Sequence, residues 1–265
     1  MTETFQTLRF ERAGAVAVIT IDRPQAGNAI DVAMSRELMN AAIACDRDAG
    51  IRAVLLRSEG KLFSAGGDIG AFSDVGEKVP DLISEETAYL HAAIARLARM
   101  DKPLVTAVQG FAAGAGFSLA VLGDIAVAGK AAQFTLGYTG IGLTPDGGAS
   151  WLLPRLVGLR QAQRLILTNA RLTAEEALAI GLVTEVVEDV ALNTVARGWA
   201  ERLAAGPTMA FARCRDLLLG TFAETLETHL EREARGIVES AAGADGRAGI
   251  AAFLAKRKPE FSGQS

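Results

Sequence analysis

The chain has 265 residues, half of them apolar, and a formal net charge of −4 at pH 7. That length suffices for one large domain, or one domain with a helical appendage, and supplies a sizeable core. Acids and bases are mixed along the chain, which excludes the basic stripe of a general nucleic-acid binder, and two cysteines, Cys45 and Cys214, cannot build a secreted disulfide framework.

A reducing compartment, the cytoplasm, is therefore expected. Residues 1–12 are charged and have no apolar centre, so no signal peptide is expected there. The longest apolar stretch, residues 111–128, is interrupted by Asp124 and diluted by glycines, so it is not read as a membrane span.

In chain order, residues 15–21 (AVAVITI) form a short β-branched run that reads as a buried strand, ended by Asp22-Arg23-Pro24. Residues 34–48 have helical spacing, and residues 52–57 (RAVLLR) read as a second strand. A glycine cluster at 63–70 follows. Residues 84–100 are helical, 103–108 (PLVTAV) form a strand, and a second glycine cluster spans 110–116. A short buried helix at 117–122 and a strand at 125–128 come next. The third cluster, 137–148, precedes a helical pattern over 152–167. Thr173 with Glu176 three residues on reads as a capping box, Gly181 ends that helix, and 183–187 reads as a last strand. From about residue 191 onward only amphipathic helix is expected, broken at Gly206-Pro207 and at 243–246. Strands apolar on both faces imply a sheet covered by helices. The fold class is therefore α/β with a helical C-terminal part.

Three glycine-rich segments could carry chemistry. In the first, residues 63–69 (FSAGGDI), a strand ends and turns at two glycines, and Asp68 can cap the next helix. Taken alone it is a tight strand-to-helix turn. The second, residues 109–118 (QGFAAGAGFS), also opens a helix, where free N–H groups favour negative charge. Gly110, Gly114 and Gly116 also match the spacing of a short-chain dehydrogenase loop. That reading fails, because such loops follow the first strand, no ribose-binding acid lies about 20 residues on, and no Tyr-x-x-x-Lys is present. The third, residues 141–151 (IGLTPDGGASW), places Asp146 between a proline and two glycines. Asp146 is either a helix N-cap or an acid–base group over a pocket. His91 and His229 read as surface or core histidines, and no Cys/His metal spacing, phosphate loop or G-x-S-x-G occurs.

In this order the segments are similar to the crotonase (enoyl-CoA hydratase/isomerase) superfamily. The resemblance runs from Asp22-Arg23-Pro24 with Asn28-Ala29-Ile30, through FSAGGDI, GFAAGAGFSLAVLGDIAVA, Ala132–Phe134 and the PDGG segment, to GIAAFLAKRKP at 249–259. It implies a spiral of ββα units over residues 1–190 and a helical C-terminal region, 191–265, that packs trimers or dimers of trimers. It also implies an acyl-CoA substrate, with coenzyme A entering as part of that substrate and no permanently bound cofactor. The resemblance maps two oxyanion-hole N–H groups to Gly67 and Ala115. It places Arg23, Gln25, Ala26, Ala65, Asp68 and Ile69 along the coenzyme A path, and Phe253 and Lys256 on the tail that meets coenzyme A.

Departures from the pattern sharpen the expectation. The two glutamates with which the family's hydratases activate water map to Ser118 and Tyr138, and neither serves as a carboxylate base at neutral pH. Asp146 falls where several of the family's isomerases carry their acid, and IGLTPDGGASWLLPRLVG is especially like the phenylacetate-pathway type. The expected activity is proton transfer through an enolate by Asp146, moving a double bond, with Tyr138 shaping the acyl pocket or donating a hydrogen bond. The competing expectations are another crotonase chemistry (hydratase, lyase or thioesterase) and, in a different class, a catalytically silent acyl-CoA-binding scaffold.

Overall fold

The computed structural model describes residues 5–263. Strands β1 (Leu8–Ala13) and β2 (Val16–Ile21) form an antiparallel hairpin, and helix α1 (Val32–Arg47) leads to β3 (Ala53–Ser58). Helices α2 (Ile69–Val75) and α3 (Val79–Arg99) follow, then β4 (Leu104–Val108), β5 (Phe111–Ala113), α4 (Ala115–Ala120), β6 (Ile125–Gly129) and β7 (Gln133–Thr135). Next come α5 (Ala149–Val157), α6 (Leu159–Thr168), β8 (Leu172–Thr173), α7 (Ala174–Ala179) and β9 (Glu185–Val187). Four helices close the chain: α8 (Leu192–Ala204), α9 (Thr208–Gly220), α10 (Leu226–Ala242) and α11 (Ala244–Leu254).

The main sheet has the order β1-β2-β3-β4-β6-β9 and is parallel from β2 onward. Side chains alternate across it. Ala17, Ile19, Ile21, Val54, Leu56, Leu104 and Val108 face a core shared with Met34 and Leu38 of α1 and with Leu90, Ile94 and Leu97 of α3. Val16, Val18, Ala53, Leu55, Val105, Ala107 and Val127 face Leu192, Ala196, Ala200 and Ala204 of α8. Both faces are therefore covered, which is why the central strands read as unbroken apolar runs. A second sheet, β5-β7-β8, stands beside the first.

Several elements differ from the sequence reading. β1 was not foreseen: it is an edge strand in which only Leu8 is buried, so its apolar signal is thin. The strands of the small sheet have two or three residues, too few to show a period. The helical pattern over 152–167 is two helices, divided at Gly158, which adopts φ +78°. The capping box is present: Thr173 Oγ1 accepts from Glu176 N, and Glu176 Oε2 accepts from Thr173 N.

Asp124, which interrupts the long apolar stretch, ties the helical end to the core. Its Oδ2 accepts from Leu104 N at 2.7 Å, and its Oδ1 accepts from the buried Arg215 of α9 at 2.9 Å. Arg215 also donates to the carbonyls of Leu97 and Met100. Among the described residues no helix is long and apolar enough to cross a membrane. Beyond Arg215, α10 and α11 leave Leu230, Ile237, Val238, Ile250, Phe253 and Leu254 exposed.

Candidate active site

The site lies at the carboxyl ends of β3 and β4, the usual ligand position in an open parallel sheet. The two glycine segments lie side by side there. Ser64 N donates to Phe111 O at 3.1 Å and Ala113 N donates to Ser64 O at 3.0 Å. Gly66 adopts φ +98°, and a methyl added to it would come within 2.9 Å of the Ala113 carbonyl oxygen. Gly114 turns the facing segment at φ +52°. Only glycine allows both turns and this close approach. Each turn is followed by a peptide N–H, at Gly67 and at Ala115, that has no protein acceptor among the described residues. Both residues line the same cavity, of about 370 Å³.

The framework behind the turns is polar and saturated. Asn28, buried and at φ +54°, donates from Nδ2 to the carbonyls of Glu59 and Leu62, both at 2.8 Å, and accepts from Arg23 N at 2.9 Å. Asp31 caps α1 by accepting from Met34 N, and Asp68 caps α2 by accepting from Ala71 N. Arg23 bridges the two caps, 3.0 Å from Asp31 Oδ2 and 3.2 Å from Asp68 Oδ2, and donates to Ala29 O. Its guanidinium thus fixes the wall of the site. Gln25 and Ala26 form the turn beside it, and the following Gly27 carbonyl accepts from Ala65 N at 2.9 Å.

Asp146 is not the helix cap that its glycine-rich setting allowed; Gly148 caps α5. The carboxylate lines the cavity instead. The Tyr138 phenol donates to Asp146 Oδ1 at 2.5 Å, and the Ser118 hydroxyl donates to the Asp146 carbonyl at 3.0 Å. Burial first, and then the adjacent Asp146 charge, push the Tyr138 pKa above its ordinary value, so the phenol stays protonated and donates. Gly147 packs on Ser118 at φ +59° and donates its N–H to His91 Nε2 at 3.1 Å. The same Nε2 lies 3.5 Å from Asp146 Oδ2. His91, read from sequence as a plain surface or core residue, therefore stands beside the acid.

A second carboxyl enters the cavity from α3. Glu86 is only 6% exposed, and among the described residues its side chain has no hydrogen bond or ion pair. Its pKa is raised to about 7, chiefly by burial and then by the negative charges of Asp146, Asp31 and Asp68. Sequence reasoning missed it, although a signal was there. The buried stripe of α3 is Glu86, Leu90, Ala93, Ile94 and Leu97, so a glutamate occupies the next apolar seat of the helix.

Of the residues singled out from sequence, Ala65, Gly67, Ile69, Ala115, Tyr138 and Asp146 line one cavity. Arg23, Gln25, Ala26 and Asp68 stand behind or beside it. Phe253 on α11 is almost fully exposed, and Lys256, at φ +52°, lies beyond the end of that helix. Neither lines the cavity. The remaining walls are mostly apolar, from Phe72, Ile83, Leu136, Ile141 and Leu143. Such a pocket suits an apolar acyl group that carries one polar, activated carbonyl.

Known proteins are similar to this chain along nearly its whole length. The enoyl-CoA hydratase/isomerase family model matches residues 11–264. A Rhodobacter capsulatus protein named "Probable enoyl-CoA hydratase" is 38% identical over 261 residues, 98% of this chain and 100% of the relative. The 1,2-epoxyphenylacetyl-CoA isomerase of Escherichia coli K12 is 36% identical over 250 residues, 94% of this chain and 95% of the relative. Among solved structures, an enoyl-CoA hydratase from Polaromonas sp. JS666 superposes with a TM-score of 0.91 at 31% identity, covering 96% of this chain and 99% of that one. The chain belongs to the enoyl-CoA hydratase/isomerase family.

Proposed function

We propose that the protein moves a double bond within an enoyl-CoA, or isomerises a ring-epoxide-type acyl-CoA, through a thioester enolate. The observation that carries this reading is the cavity in which two unpaired amides and one anchored carboxylate meet. In this reading the N–H groups of Gly67 and Ala115 hold the thioester oxygen. Donors fixed where negative charge develops are commonly worth roughly 3 kcal/mol each. Asp146 removes a proton from the α or γ carbon, and a proton returns at the other end of the three-carbon unit. Tyr138 keeps the carboxylate in place. Ser118 and Tyr138 supply no carboxylate for water activation, which favours isomerisation over hydration. The 36% identity to a 1,2-epoxyphenylacetyl-CoA isomerase supports the ring-epoxide variant of the same chemistry.

Coenzyme A enters with the substrate and not as a resident cofactor. Its path runs over Ala65, Ile69 and the turn at Gln25 and Ala26, beside the Arg23–Asp68 pair. In the same reading residues 1–190 form the catalytic core in the cytoplasm. Residues 191–265 form the contact region of a homotrimer or dimer of trimers, which buries the exposed faces of α10 and α11 and brings Phe253 and Lys256 of a neighbouring copy to coenzyme A. The test is product analysis by NMR with 3-enoyl-CoA, 2-enoyl-CoA and ring-epoxide-type arylacetyl-CoA thioesters. A migrated double bond or an isomerised ring supports the proposal. A hydrated product alone contradicts it.

A further inference from the structure

Among the described residues, Glu86 is the one titratable group lining the cavity for which the proposed chemistry has no use. A carboxyl this buried normally finds a partner, because desolvation penalises an unpaired polar group. Glu86 has none among the described residues, and it faces the space where the acyl chain must lie. It also stands close to one of the two oxyanion donors, since a methyl on Gly67 would meet Glu86 Oε1 at 3.9 Å. Asp146 enters the same cavity from the loop before α5 and Glu86 from α3. Two carboxyls on different walls of one small cavity divide the roles of acid and base when their surroundings separate their protonation states.

Resting on the isomerase reading, we propose that Glu86 is a second catalytic residue: the carboxylic acid that delivers a proton to one end of the three-carbon unit while Asp146 removes one from the other. With a 3-enoyl-CoA, the Asp146 carboxylate takes the α-proton, and the C–H electron pair passes into the enolate held by Gly67 and Ala115. The enolate oxygen then re-forms the thioester carbonyl. The α–β double bond forms, and the former β–γ electron pair takes the Glu86 proton at Cγ. Asp146 is left protonated and Glu86 charged. Asp146 releases its proton to solvent and Glu86 regains one, so no proton is consumed.

The electrostatic setting suits this division. The charged and titratable groups around Glu86 are Asp146, with Tyr138 and His91 beside it, and Asp31 and Asp68, with Arg23 between them. Burial and the three negative charges keep Glu86 protonated up to about pH 7. Arg23 is already engaged by Asp31 and Asp68, and among the described residues no cation pairs with Glu86.

The experiment follows trans-3-hexenoyl-CoA in D₂O by NMR with wild type, Glu86→Gln and Asp146→Asn, each checked for wild-type circular dichroism. Glutamine keeps the shape and neutrality of the protonated acid. The expected result for Glu86→Gln is retained α-deuterium exchange with 2-enoyl product formation slowed about 100-fold. The wild-type rate should also fall above pH ~7, and that fall should vanish in the variant. Product formation by Glu86→Gln at the wild-type rate with an unchanged pH profile would overturn the proposal and leave the isomerase reading standing. Exchange that survives in Asp146→Asn but is lost in Glu86→Gln would overturn both, since Glu86 would then be the base.

Discussion

The Tyr138 phenol donates to Asp146 Oδ1 at 2.5 Å, within a site where Ser118 also holds the Asp146 main chain. On the resemblance drawn from the sequence, these two anchors would fall where the family's hydratases carry their water-activating glutamates. In that reading, seats that could have held carboxylates instead position another one, Asp146. Tyr138 is held protonated by burial and by the charge it contacts, so the bond is charge-assisted and one-directional.

Replacing that phenol isolates its contribution. Tyr138→Phe keeps the ring and removes the donor. A hydrogen bond to a charged group is worth about 1.5–3 kcal/mol, so its loss should lower the melting temperature by a few degrees and, by freeing the carboxylate, lower kcat about tenfold. Steady-state kinetics with a 3-enoyl-CoA would check this. A change confined to KM would mean that the ring shapes the pocket and the hydroxyl does nothing to the acid.

The wall that carries the Gly67 amide depends on glycine at position 66. Gly66→Ala would place a methyl 2.9 Å from the Ala113 carbonyl in a backbone conformation at φ +98°. The two loops must then part, which costs about 1–3 kcal/mol of stability and misaims the Gly67 amide. Urea unfolding combined with α-proton exchange should show both losses together. Wild-type exchange in this variant would show that the wall tolerates displacement.

Asn28 is the polar pin beneath the same wall. Asn28→Ala removes the donors to Glu59 O and Leu62 O, leaves Arg23 N without its acceptor, and keeps a left-handed backbone that alanine dislikes. The expected loss is about 2–4 kcal/mol, measured by denaturant unfolding. A loss below about 1 kcal/mol would mean that water replaces the side chain at little cost.

Much of this was legible in the residues. The apolar runs of β2, β3, β4 and β6 and the glycine clusters are local signals, and they marked both the sheet and the loops that carry the site. β1 was lost because only Leu8 of that strand is buried, and β5, β7 and β8 because two or three residues show no period. Asp146 could be singled out from its glycine-rich context, but its release from a capping role depends on Gly148 capping α5, a tertiary outcome. His91 and Glu86 were hidden for one shared reason. Both sit on α3, far in sequence from the glycine loops, and their meaning comes from the face that α3 turns toward Asp146.

Glu86 also couples stability to pH. Its pKa is raised from 4.5 to about 7 in the folded protein. Below pH 4.5 both states are protonated and nothing is lost. Between 4.5 and 7 the folded state holds a proton that the unfolded chain has released, so stability falls as pH rises, by about 3 kcal/mol in all. Glu86→Gln should therefore gain about 3 kcal/mol over wild type at pH 8 relative to the difference at pH 4, measured by urea unfolding at both. A pH-independent difference would mean that Glu86 titrates alike in both states.

The most direct test of the central claim compares wild type with Asp146→Asn by NMR in D₂O on a 3-enoyl-CoA. The account predicts α-deuterium exchange and double-bond migration in wild type, with both suppressed at least about 100-fold in the variant. Exchange and migration at the wild-type rate in Asp146→Asn would contradict it and remove Asp146 from the chemistry.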